Sequence, residues 1–353
     1  MKRKNSYDFL RLFAAGMVVF SHSFALSGNK EPMVGSVTLG TVGVWVFFIL
    51  SGYLIAISWD QYPRFNVFFA KRALRIFPGL IVNLLLTIIV LGLFYSTYNF
   101  IGFLGKPGSL EYINNIFLYT REYVLPGVFT KNILPNGVNG SLWTLAYEFT
   151  MYIAIALIGV SKLYKKISAI QIWLGLFAME VLIVIFKIDF QHRAIFFLKP
   201  ERIILLALLF FSGVVMYKAA NKIKLDYKIG LLSFVLFIIA SILMPQSTPI
   251  LAPILLAYAL FSFGRSDKMS FVSRIGDLSY GIYIYSFTIQ QMLVASTQTR
   301  SPWKLFLASF FLSVIVAFAS WHLIESRALK LKKKINIKKY PLEHQSEQVD
   351  SAW

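Results

Sequence analysis

Ten long apolar runs leave this chain few ways to fold. They lie near residues 8–27, 37–58, 75–96, 141–160, 168–186, 203–217, 229–245, 249–264, 276–296 and 304–325. A helix needs about 20 apolar residues to cross a bilayer, and in hydrocarbon only helices and closed barrels satisfy every backbone group. The sixth, seventh and eighth runs are short or interrupted by proline, so their limits are loose. Of the 353 residues, 57% are hydrophobic and 14% charged, where soluble domains carry about 25% charge. The fold class is therefore all-α, a polytopic membrane bundle of about ten transmembrane helices. Residues 1–328 form the transmembrane domain, and 329–353 a basic, then polar, tail.

The formal charge of +19 first suggests nucleic acid, but its distribution argues otherwise. Sorted by alternate loops, 25 of the 35 Lys and Arg fall on the side of the N-terminus and 10 on the other. That asymmetry places both termini in the cytoplasm. The basic residues report topology and contact with anionic lipid rather than nucleic acid. Lys2-Arg3-Lys4 before an apolar run also resembles a signal peptide, with Ala25-Leu26-Ser27 as a weak cleavage pattern. Cleavage there discards the most informative helix, so an uncleaved anchor is expected. With no cysteine, disulfides and zinc–thiolate sites are excluded. No internal repeat supports a transporter built from inverted halves. The stretch 97–140 reads as an outward-facing loop, partly folded back into the bundle.

Ionisable groups are costly in hydrocarbon and mark function when present. Arg11 and His22 both fall in the first run. Eleven residues at ~100° each turn ~1100°, about 20° from three full turns, so the two share a helix face ~16.5 Å apart along the axis. Arginine snorkelling and a histidine satisfied inside the bundle are the alternatives. Asp8, three residues before Arg11, is placed to pair with it. At the same membrane level, Arg72 and Arg75 stand three apart at the entry of the third run. They read either as positive-inside flanking or, joined by Arg11, as bidentate phosphate ligands.

A third cluster runs from Asn139 to Glu148. Asn139 or Ser141 is placed to cap the following helix. Glu148 lies two turns inside it, on the face of Ser141 and Thr144. Counted from the outer ends of their runs, His22 and Glu148 lie ~7.5 and ~10.5 Å deep. A base and its orienting carboxylate at matched depth is one reading, and a structural glutamate the other. Gly40, Gly43, Ser51 and Gly52 suit close helix packing, although Ser51 also has the position of a site residue. His192 and Glu201 read as solvated, and His322 with Glu325 as an interfacial cap on the last helix.

Together these residues resemble acyltransferase family three, the integral-membrane O-acyltransferases. The matching pieces are Asp8-Phe-Leu-Arg11 with His22, Gly43 through Phe47-Phe48 to Ser51-Gly52-Tyr53, Arg72-Ala-Leu-Arg75-Ile-Phe-Pro78, and Asn139-Gly-Ser-Leu-Trp143 through Glu148. Gly276-Asp-Leu-Ser-Tyr280 through Tyr283-Ile-Tyr-Ser286, and Trp321-His-Leu-Ile-Glu325, extend the match across nearly the whole chain. Within the family it is most similar to stand-alone bacterial and phage O-antigen acetylases. It departs from many members at Ser286, where histidine is common, and at Thr288, where proline is common. The hydrolase-like extracytoplasmic domain of some members is not expected here.

The resemblance implies a multi-pass protein of the bacterial inner membrane. It implies transfer of acetyl from cytoplasmic acetyl-CoA to a sugar hydroxyl of a surface polysaccharide or its lipid-linked precursor, without a metal. Arg11, Arg72 and Arg75 are expected at the donor's anionic end and His22 with Glu148 at the chemistry, supported by Asp8, Ser51, Ser141 and Trp143. The expected partners are the lipid bilayer and a glycan acceptor. Export of a lipid-linked glycan by a transporter or flippase, and acylation of a small secondary metabolite, are the alternatives.

Overall fold

The computed structural model describes residues 6–161, 167–188, 190 and 197–334. Among these residues, ten helices stand where the ten runs were read: α1 (Tyr7–Leu26), α2 (Leu39–Gln61), α3 (Phe65–Phe94), α4 (Trp143–Val160), α5 (Ala169–Phe186), α6 (Pro200–Lys218), α7 (Tyr227–Leu243), α8 (Pro245–Gly264), α9 (Ser279–Thr297) and α10 (Pro302–Lys330). All but α7 and α9 have the length and composition needed to cross a membrane. The protein is an all-α, multi-pass membrane bundle. Among the described residues, strand structure is confined to a hairpin pairing Met33–Val34 with Val37–Thr38 and an isolated bridge between Ser96 and Val128.

The loose limits have identifiable causes. Helix α6 extends beyond its apolar run because Pro200 supplies a preorganised first turn. Helix α8 is composite, with a π-helical turn at Ala252–Leu256 carrying Pro253. Another π turn, Trp321–Glu325, interrupts α10. Such turns insert a residue into the helical ladder and re-aim the side chains after it.

Small residues set the tightest crossings. A Cβ on Gly43 would stand 2.7 Å from the carbonyl oxygen of Ala14, and one on Gly40 would stand 3.0 Å from Ser21. Gly40 and Gly43 thus let α1 and α2 touch, as read from the sequence. Helix α9 packs against α1, α3 and α10. Its contacts fix the relative direction of α1: Arg11 meets Asp277 just before α9, whereas Val19 and Ser23 meet Gln290 far along it. The two helices run parallel, as first and ninth spans must.

The stretch between α3 and α4 is ordered by short helices at Phe100–Leu104 and Glu111–Phe117. Its last part folds back into the bundle. Asn132 Nδ2 donates to the Gln291 carbonyl at 2.9 Å, Thr288 Oγ1 to the Val138 carbonyl at 3.1 Å, and Asn139 Nδ2 to the Ile284 carbonyl at 2.7 Å. Gln291 Nε2 in turn donates to the carbonyls of Leu134 and Gly137. Non-helical backbone survives at membrane depth only when protein supplies its hydrogen bonds. Asparagine, threonine and glutamine do so here. As a result α4 starts inside the bundle, level with the middle of α9.

Candidate active site

At one end of the bundle three arginines converge. Arg11 Nη1 donates to Asp277 Oδ2 at 2.5 Å, and Arg75 Nη2 donates to the same oxygen. Ser279 Oγ donates to the other carboxylate oxygen at 2.6 Å. Arg72, three residues before Arg75 on α3, is buried, and its Nη2 donates to Ser58 Oγ at 3.1 Å. Arg72 lies within electrostatic reach of both Arg75 and Arg11. The convergence expected from the sequence is therefore present. The carboxylate partner of Arg11 is Asp277 rather than the Asp8 expected from sequence spacing. Asp8 is buried and within electrostatic reach of Arg75.

The π turn in α10 separates two residues that the sequence placed together. His322 is exposed and rests on Phe318, with ring centroids 4.1 Å apart. Glu325 is buried, accepts from Ser320 Oγ at 2.9 Å and lies within electrostatic reach of Arg75. An interfacial position suits His322 alone.

One step further into the bundle is a cavity of about 40 Å³, lined by Arg11, Ser51, Thr144, Glu148, Tyr280 and Tyr283 among others. Glu148 Oε1 accepts from Tyr152 Oη at 2.5 Å and from Ser51 Oγ at 3.2 Å. Thr144 Oγ1 and Tyr283 Oη are hydrogen-bonded at 2.7 Å. Tyr280 Oη donates to the Ile76 carbonyl at 2.8 Å, beside the proline-interrupted turn of α3. Ser51 thus faces the cavity, while Gly52 meets the backbone of α6 at Phe210.

His22 occupies a different level. Its ring meets Phe287 edge-on, with centroids 5.2 Å apart, and its buried Nδ1 has no hydrogen-bond partner among the described residues. Phe287 lies seven residues beyond Tyr280 on α9, a rise of ~10.5 Å. Glu148 shares the cavity of Tyr280 and Arg11, so the matched depth expected for His22 and Glu148 does not hold. The cause is the folded-back segment, which starts α4 well below the outer end of α1.

The capping expectation also changes. Helix α4 begins at Trp143 after Leu142 without a side-chain cap. The Ser141 amide donates instead to Asn139 Oδ1 at 3.1 Å, within a buried turn. Gly140 in that turn abuts the Phe287 ring, which brings fully buried Ser141 into the neighbourhood of His22. Trp143 packs edge-on against Tyr147 at 5.4 Å and beneath the Arg202 guanidinium at 4.8 Å, outside the lining of the cavity. Glu201 is partly exposed near the start of α6. His192 lies outside the described residues.

Sequence reasoning gave no role to Asp277, Tyr152, Tyr280 or Tyr283. Asp277 carried one legible signal, a lone carboxylate at the mouth of a tyrosine-rich helix. Its partners sit 202 and 266 residues away, so spacing alone does not find it. Among the described residues, no three His, Asp or Glu gather closely enough to hold a metal ion.

Fold and site together describe an integral-membrane helix bundle in which a cluster of arginines is joined by one helix to an imidazole whose Nδ1 is buried. The family described as an acyltransferase domain matches residues 4–322. The chain belongs to that family and is an acyltransferase. It is 31% identical over 334 residues to an O-acetyl transferase of Shigella phage Sf6, covering 93% of this chain and 97% of the relative. It is 27% identical over 365 residues to Nodulation protein 10 of Rhizobium leguminosarum bv. viciae, covering 94% and 95%. A third relative, acyltransferase MdmB of Streptomyces mycarofaciens, is 27% identical over 173 residues, 46% of this chain and 41% of its own. No solved structure matches significantly.

Proposed function

We propose that this protein moves an acetyl group from cytoplasmic acetyl-CoA to a sugar hydroxyl of a cell-surface polysaccharide or its lipid-linked precursor, in a bacterial inner membrane with both termini cytoplasmic. The observation that carries this reading is the placement of Arg11 and His22 on α1. Arg11 belongs to a cluster with Arg72 and Arg75, and His22 lies ~16.5 Å further along the same helix. The full-length likeness to a phage O-acetyl transferase supports an acetyl donor and an oxygen acceptor.

On this reading the donor's phosphates engage Arg11, Arg72 and Arg75, where planar guanidinium forks suit phosphate oxygens. The thioester arm extends past the cavity of Glu148, Ser51 and Tyr283 towards His22. Imidazole there takes the proton as the sugar oxygen attacks the thioester carbonyl carbon. The carbon–sulfur bond breaks, and the departing thiolate receives a proton in turn. Glu148 is a positioning residue in this scheme: through Tyr152 and its neighbour Arg11 it acts on the donor end rather than on the imidazole. Ser141 lies beside the reacting group.

The test uses membranes carrying the protein, labelled acetyl-CoA and envelope glycan. Ester-linked label on the glycan is expected. Label left wholly on the donor, with deletion of the gene sparing every glycan ester, contradicts the proposal.

A further inference from the structure

Coenzyme A leaves at the end of each cycle with the same phosphates that the acetylated donor brought. Arginine contacts to those phosphates hold donor and product equally and contribute nothing to the chemical step. A cluster of three guanidiniums without a counterweight would retain the product.

The structure contains a counterweight. Asp277 Oδ2 accepts from both Arg11 and Arg75, while Oδ1 is held by Ser279 Oγ at 2.6 Å. One oxygen receiving two guanidinium donors reproduces what a phosphate oxygen would do there. The side chains of Arg11, Arg75 and Asp277 are 14%, 16% and 13% exposed, so the bridge is not fully sealed inside the bundle. Gly276, at φ +109°, fixes the turn that presents Asp277, and the Trp321 indole fills the space a side chain would need.

The other charged groups near the cluster also bond to residues outside it or act on it from a distance. Glu325 accepts from Ser320, Glu148 from Tyr152 and Ser51, and Arg72 donates to Ser58. Asp8 stays buried within reach of Arg75. Among the described residues, Asp277 is the carboxylate that bridges two of the three guanidiniums.

We propose that Asp277 is the internal counter-anion of the donor site: the donor's phosphate takes its place between Arg11 and Arg75, and its return speeds departure of coenzyme A. This inference rests on the donor reading above. Ser279 anchors the carboxylate while it is displaced, and no covalent bond changes. Donor affinity is then the difference between two anions competing for the same arginines.

The test is titration of the full-length protein in nanodiscs with coenzyme A, alongside steady-state acetyl transfer. Asp277→Asn keeps the size and the Ser279 contact but removes the charge. Coenzyme A should bind about tenfold tighter or more, and both KM for acetyl-CoA and kcat should fall as release becomes limiting. Asp277→Glu should return affinity towards the wild type. Equal or weaker binding by Asp277→Asn, with the wild type binding normally, overturns this inference alone. No coenzyme A binding by the wild type overturns the donor reading and this inference with it. Asp277→Ser is the second variant: loss of a monodisperse protein in both Asn and Ser forms makes Asp277 a structural strut and overturns the proposal.

Discussion

Glu148 shares a cavity with Arg11, whereas His22 lies on Phe287, seven residues further along α9 than the Tyr280 that lines the cavity. The carboxylate and the imidazole therefore lie at different levels of the bundle, and the proposed mechanism gives them different roles. Glu148→Gln keeps an acceptor for Tyr152 and Ser51, and should retain measurable transfer with a changed KM for acetyl-CoA. Glu148→Ala strands two buried hydroxyls, at a cost of about 1–3 kcal/mol each, and should lower the melting temperature in detergent. Loss of transfer by Glu148→Gln as complete as that of a His22 variant, with KM unchanged, would contradict this separation.

Arg72 and Arg75 differ in surroundings, and their variants should differ too. Arg75→Ala removes a charge-assisted contact of about 1.5–3 kcal/mol and should raise the dissociation constant for acetyl-CoA by at least tenfold. Arg75→Lys should recover only part of this, because an ammonium lacks the planar fork. Arg72 is buried with Ser58, so Arg72→Ala should lower both affinity and stability. Isothermal titration and thermal unfolding of the same samples separate the two effects. Unaltered donor affinity in the double alanine variant returns both residues to ordinary topology signals.

The folded-back segment makes an accessibility prediction, helped by the absence of cysteine from the chain. Asn139 is buried against α9, while Lys131 in the same segment is exposed. A membrane-impermeant maleimide should label Lys131→Cys in intact cells and leave Asn139→Cys unmodified until the protein is denatured. Reporter fusions after residues 30, 115 and 247 should report outside, and one after 223 inside. Rapid labelling of Asn139→Cys, or an inside signal at 115, would undo the depth assignment.

Periodicity and length were enough to place the ten helices, because a spanning helix writes its own signature in consecutive residues. The convergence of Arg11, Arg72 and Arg75 was also legible, since all three stand at one level of their helices. Three features were not. Asp277 joins arginines from two distant helices, a relation of tertiary packing that no local spacing encodes. The π turn in α10 turns Glu325 inward and leaves His322 outside, although the two are three residues apart. The depth of Glu148 depended on where α4 begins, and that is set by hydrogen bonds from Asn139, Asn132 and Thr288 across to or from α9 and the folded-back segment. Counting from the edge of an apolar run assumes that the helix starts at the membrane surface, and here it does not.

In the proposed mechanism His22 exchanges a proton during acetyl transfer. His22→Gln keeps a hydrogen-bonding side chain of similar reach but cannot take a proton at neutral pH. The most direct measurement follows labelled acetyl from acetyl-CoA to a glycan acceptor in membranes carrying equal amounts of folded wild-type or His22→Gln protein. The expected result is loss of transfer by His22→Gln of about 10²–10⁴-fold, with coenzyme A binding retained. Equal transfer by the two proteins would remove His22 from the chemistry and contradict the account.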